Sequence, residues 1–99
     1  MDIIDTHDWT LKCMHICIDK KEIIIFLFDD YELKEVEFAI TEFINYSCTN
    51  EAPWGKSNLI NEVEITDGEK KEIIIQLQSG DNIKIDYFGE VVFRSAKEL

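Results

Sequence analysis

A chain of 99 residues is enough for one domain with one core and too short for two. Asp and Glu outnumber Lys and Arg 21 to 10, and the resulting formal net charge of −11 argues against phosphate backbones and anionic lipid surfaces as partners. One proline and four glycines leave little room for long disorder, and the longest apolar run, residues 23–28, is too short to span a bilayer.

The opening residues, Met1-Asp2-Ile3-Ile4-Asp5, are acidic where a secretory signal is basic. Cys13, Cys17 and Cys48 are odd in number and follow no disulfide-scaffold spacing. Together these predict a cytoplasmic protein with free thiols. His7-Asp8 is expected to cap the entry to a first strand. There Trp9, Leu11, Cys13, His15 and Cys17 alternate with Thr10, Lys12, Met14, Ile16 and Ile18. Asp19-Lys20-Lys21-Glu22 reads as a polar turn, and residues 23–28 as a buried β-branched and aromatic strand. After Asp29-Asp30-Tyr31, residues 32–40 place Val36, Phe38 and Ile40 on one face of a third strand. Leu33, Val36, Ile40 and Phe43 also fit helical spacing. The strand is preferred because a repeat supplies a precedent for it.

That repeat is explicit. Lys20-Lys21-Glu22-Ile23-Ile24-Ile25 recurs as Lys70-Lys71-Glu72-Ile73-Ile74-Ile75, and the likeness continues through Leu27 and Leu77, Lys34 and Lys84, Phe38 and Phe88. In the second copy Leu59, Asn61, Val63 and Ile65 alternate with Ile60, Glu62 and Glu64. Asp67-Gly68 opens a turn, residues 72–78 form the next strand, and Ser79-Gly80-Asp81 signals a hairpin. Ile83, Ile85 and Tyr87 follow on a third strand, and Val91-Val92-Phe93 on a last short one before a polar tail. Val36 and Phe38 fall on the opposite parity from Ile83 and Ile85, which predicts an extra residue in the 29–32 turn, or a bulge. Two three-stranded meanders, at about 9–40 and 59–88 and joined by a loop over 45–58, predict a single all-β domain over 1–99. Its form is an antiparallel β-sandwich or a partly open barrel.

The joining loop contains Ala52-Pro53-Trp54-Gly55-Lys56-Ser57. Pro53 fixes φ, Gly55 permits reversal, and Trp54 sits between them on a rigid turn. Two readings are open. Trp54 folds back as a lid over the sheets, or it is an exposed anchor for a partner protein, with Tyr46, Asn50, Glu51 and Asn58 as its polar rim. Cys13-x-His15-x-Cys17 has zinc-ligand chemistry, but alternate strand residues stand about 6–7 Å apart. Their repeat counterparts Val63 and Ile65 are plain core residues, so no metal is expected, and the trio reads as core with His15 near an edge. His7-Asp8 lacks catalytic geometry, because adjacent residues of an extended chain point to opposite faces. With no recognisable nucleophile or phosphate motif, neither an enzyme nor a cofactor is expected.

His7-Asp8-Trp9-x-Leu11, the central Ala52-Pro53-Trp54-Gly55-x-Ser57, and Ile60-Asn61-Glu62-Val63 together resemble a group of small uncharacterised bacterial all-β proteins. Some of these look like immunity proteins of polymorphic-toxin systems. The resemblance covers most of the chain, with Lys56 where a proline is expected. It implies an antiparallel β fold and binding rather than catalysis. The expected function is therefore a non-enzymatic cytoplasmic domain that binds another protein, in its concrete form a basic toxin. The alternative is a structural β-domain that forms homo-oligomers through its edge strands.

Overall fold

The structure is a computed structural model that describes residues 2–4 and 6–95. The period-two pattern becomes strand along most of this length: β1 (Asp2–Ile4), β2 (Thr10–Cys17), β3 (Glu22–Asp29), β4 (Lys34–Thr41), β5 (Phe43–Cys48), β6 (Ile60–Asp67), β7 (Lys71–Leu77), β8 (Asn82–Tyr87) and β9 (Val91–Ser95). They form two antiparallel sheets, β1-β6-β7-β8-β5 and β2-β3-β4-β9. One meander builds the heart of each sheet, and neither sheet closes into a barrel. No helix long and apolar enough to cross a membrane occurs among the described residues.

Burial follows the pleat. Along β3, Ile23, Ile25 and Leu27 are buried while Ile24, Phe26 and Phe28 are half-buried on the outer face. The inward side chains meet Val36, Phe38 and Ile40 of β4 and, across the sandwich, Val63, Ile73, Ile75, Ile83, Ile85 and Tyr87. Each fully buried aliphatic or aromatic side chain contributes about 1.5–3 kcal/mol, offset by the entropy of ordering the chain.

Residues 34–41 are strand, not helix. The parity conflict is resolved in the hairpins: Phe26 faces Glu37, whereas its repeat counterpart Gln76 faces Asn82. The second hairpin turns back sooner by an odd number of residues, so the opposite set of side chains points inward. The likeness of Phe38 to Phe88 is lost at this point, since Phe38 is fully buried and Phe88 is 75% exposed just past the end of β8.

The first strand corrects a second expectation. A bulge between Leu11 and Cys13 shifts its register, so Met14 faces Ile25 as Val63 faces Ile75. The structural counterparts of Val63 and Ile65 are thus Met14 and Ile16, which pack on the core, while Cys13 and His15 face outward and are exposed. His15 does lie on an edge strand, edge-on to Phe26 at 5.0 Å between ring centroids. The loop over 45–58 is also shorter than expected, because residues 43–48 form β5, whose alternation is masked by a bulge between Phe43 and Asn45. The last strand is present and pairs with β4, and β1 joins β6 without having been anticipated. Of the polar tail expected after Phe93, Arg94 and Ser95 belong to β9, and residues 96–99 lie outside the described residues.

Candidate functional site

Two buried aspartates shape one end of the sandwich. Asp81, in the β7–β8 turn, is 4% exposed. Its Oδ1 accepts hydrogen bonds from Thr49 Oγ1 at 3.0 Å and the Glu51 N–H at 2.7 Å, and its Oδ2 from Ser79 Oγ at 2.9 Å and the Ala52 N–H at 3.0 Å. One carboxylate thereby fastens the 49–52 leg of the long loop to a turn of the sheet. The Trp54 N–H donates to the Ser79 carbonyl at 3.0 Å. Gly80, at φ +91°, lies directly beneath, where a Cβ would stand 2.7 Å from Pro53 Cγ and 3.0 Å from the indole. The indole therefore rests against a glycine rather than over the core, and it is 71% exposed. The lid reading of Trp54 is replaced by an exposed ring on a fixed base.

Burial pushes the Asp81 carboxyl up, but the hydrogen bonds from Glu51, Ser79, Ala52 and Thr49 outweigh it and hold the group below its ordinary 3.8. With the native value depressed, this stabilisation is fully present above 3.8 and is lost as pH falls through the native value. Asp81→Asn is expected to lower the melting temperature at neutral pH, because its amide NH₂ faces N–H donors. The deficit should shrink on acidification below 3.8, as the pH falls through the lowered native value and the carboxylate is itself protonated. Thermal melts of both proteins across this range check it, and a gap constant with pH would remove Asp81 from the acid transition.

Asp29, also 4% exposed, does the same for the β3–β4 turn. Its Oδ1 accepts from the N–H groups of Tyr31 at 2.9 Å and Glu32 at 3.1 Å. The turn presents Tyr31 at 70% and Leu33 at 66% exposure, with Leu33 in the left-handed region at φ 53°. Asp8 links the two turns, accepting from the Tyr31 hydroxyl at 3.2 Å and from Gln78 Nε2. The Gln78 bond is the main reason its carboxyl lies below the usual range, opposed by burial and assisted by Tyr31 and His7. Thr10 Oγ1 ties the same turn to β2 by donating to Asp30 at 2.8 Å. Trp54, Tyr31 and Leu33 thus share one end of the sandwich, on turns held by carboxylates. Asp30, Glu32 and Glu51 add negative charge there, and Lys34 is paired with Glu32 at 2.7 Å.

His7 and Asp8 are not directed apart. Asp8 adopts φ 69°, which brings its Oδ1 to 3.5 Å from His7 Nε2, while His7 Nδ1 lies 3.0 Å from the Asn61 carbonyl. These groups are engaged in fastening the chain: the Asp8 N–H donates to the Ile60 carbonyl at 2.8 Å, and the Trp9 N–H to that of Thr6 at 2.9 Å. Among the described residues no three His, Cys, Asp or Glu side chains converge to hold a metal ion.

Of the residues proposed from sequence, Asn50, Glu51 and Trp54 come together at this end, all exposed. Asn58 lies at its margin, accepting from the Leu11 N–H at 2.8 Å. Tyr46 stands apart on β5, 43% exposed, with its ring 6.0 Å from Phe43. Tyr31 and Leu33 were missed, although a turn carrying Tyr and Leu where polar residues are the rule was a readable signal. No family model matches the chain, and no curated protein matches it in sequence.

Proposed function

We propose that this protein is a non-enzymatic cytoplasmic binding domain that docks on a basic protein through its Trp54 end, in its concrete form an immunity protein that occludes a toxin. The observation that carries this reading is the trio Trp54, Tyr31 and Leu33, between 66% and 71% exposed, on two turns pinned by buried aspartates. Large apolar side chains that are already fixed lose little freedom on association, and buried aromatic anchors dominate interface energies. The acidic surroundings and net charge of −11 steer a basic partner, chiefly through its association rate. Three free cysteines fit a reducing compartment.

The test is co-expression with the product of each neighbouring gene in the source genome, scored by growth. Rescue from a toxic neighbour supports the reading and supplies the partner. Trp54→Ala should then weaken binding about 30-fold or more, by the loss of roughly 2 kcal/mol, without lowering thermal stability. Added salt should slow association. Unchanged affinity in Trp54→Ala would exclude this end as the docking surface.

A further inference from the structure

The five-stranded sheet ends in β5, and this edge is unlike the others. Every edge strand but this one includes a charged residue: Asp2 in β1, Lys12 in β2 and Arg94 in β9. Residues 43–50 have none, in a chain that is 31% charged. Charged residues on edge strands block unwanted pairing, so an uncharged edge is open to another strand. The Thr49 N–H donates to the Asn82 carbonyl at 3.1 Å, which sets the phase of the ladder. Ser47 and Asn45 accordingly bond to β8, and Tyr46 and Cys48 turn their main-chain N–H and C=O groups to the open side.

A cleft of about 420 Å³ adjoins this edge on the outer face. Ile44 and Asn45 of β5, Asp86 of β8 and Phe88 line it, with residues 68–71 closing the far side. One oxygen of Asp86 is buried without a hydrogen-bond partner. No neighbouring cation hydrogen-bonds that oxygen: Lys84, which feels the Asp86 charge, bonds Glu72 at 3.1 Å, and Lys71 donates to the Gly89 carbonyl at 2.9 Å. Phe88 offers a ring face that is 75% exposed.

We infer that β5 is a strand-addition site for an extended, basic segment of a partner protein, with an arginine or lysine of that segment seated in the cleft by Asp86 and Phe88. The inference rests on the reading of this protein as a binder of basic proteins, but on a different surface. An added strand would lie about 10 Å from β8, beyond the short Asn45 side chain and beside the bulged Ile44, a gap that an arginine side chain spans. Its cation would gain the under-satisfied carboxylate and the ring face together. A second copy of this chain brings Asn45 and Ser47 to the edge instead of a cation, and meets a like charge of −11.

The probe is an acetylated, amidated hexapeptide, Val-Arg-Val-Arg-Val-Thr, titrated into the labelled protein by NMR beside a control with Glu for Arg. Shifts are expected in residues 44–48 and 84–88, with slowed exchange of the Tyr46 and Cys48 amides. Tyr46→Pro removes an outward N–H without breaking a bond to β8 and should weaken binding about tenfold. Asp86→Asn, which removes one charge and keeps the shape, should weaken it about threefold or more. Trp54→Ala should bind the peptide normally, so failure here and failure at the Trp54 end are separate results. Equal binding of the Glu peptide, shifts centred on another edge, or β5 shifts produced by protein concentration alone would each overturn the inference. The last would assign the edge to a second copy.

Discussion

Phe38→Ala is expected to destabilise the protein by about 3–5 kcal/mol, a large part of the roughly 5–15 kcal/mol a domain of this kind possesses. Phe38 is fully buried in the middle of β4, between Ile25 of β3 and Phe93 of β9, with its ring 4.9 Å from that of Phe93. Hydrogen-bonded strands flank it on both sides, so the sheet cannot collapse into the space left behind, and the lost contacts add to the lost burial. Urea unfolding followed by Trp9 fluorescence measures it, with Trp54 replaced by Phe to silence the exposed indole. Trp9 is 9% exposed and lies 6.3 Å from Phe93, within the same cluster. The matched control is Phe88→Ala, at the position that the repeat equates with Phe38, which should change stability by less than about 0.5 kcal/mol. Equal losses at the two sites would mean that the hairpins do not differ in phase.

Gly89→Ala should also be damaging, for the opposite reason. A Cβ there would stand 2.1 Å from Thr41 Oγ1 and 2.5 Å from its carbonyl oxygen. The hydroxyl has rotamers to move to, but the carbonyl is main chain and accepts from the Gly89 N–H at 3.2 Å. Thr41 is held further by its N–H to the Glu90 carbonyl at 3.0 Å and by the Glu90 N–H to Oγ1 at 2.9 Å. Relief requires β4 to separate from the segment that leads into β9. Overpacking of this kind costs about 1–3 kcal/mol, a fall in melting temperature on the order of 10 °C for a domain of this length. A melt within about 2 °C of the native protein would show that this crossover is pliable.

The architecture was legible in the sequence because it rests on period-two patterning and on a duplicated charged turn. Both survive in Ile23, Ile25 and Leu27 and in Ile73 and Ile75, which point inward. What escaped depends on register. A bulge moves side chains across the sheet without leaving a mark in composition, so Cys13 and His15 were read inward and β5 was read as loop. The site was half legible for a similar reason. Trp54 is conspicuous between Pro53 and Gly55, and the loop around it brought Asn50 and Glu51 along. Tyr31 and Leu33 join it through tertiary contacts such as the link from the Tyr31 hydroxyl through Asp8 to Gln78. Asp81 looked like a hairpin residue, and its five hydrogen bonds from the 49–52 segment and Ser79 span too much sequence to be foreseen.

The pairing of β4 with β9 has a consequence for how the chain is made. The first meander is synthesised well before β9, yet one side of β4, from Val36 to Ile40, is completed only when β9 emerges. Until then a nascent chain carries an uncovered strand edge rich in apolar residues, and the facing sheet does not yet exist to bury Phe38. Such long-range closure is slow, on the order of milliseconds to seconds for sandwich topologies. At synthesis rates of about 5–20 residues per second, the first half waits seconds in this state. The duplicated halves are therefore not two small proteins joined end to end. The first lends β1 and β5 to the second's sheet and the second lends β9 in return, so the sandwich becomes stable only once both are available.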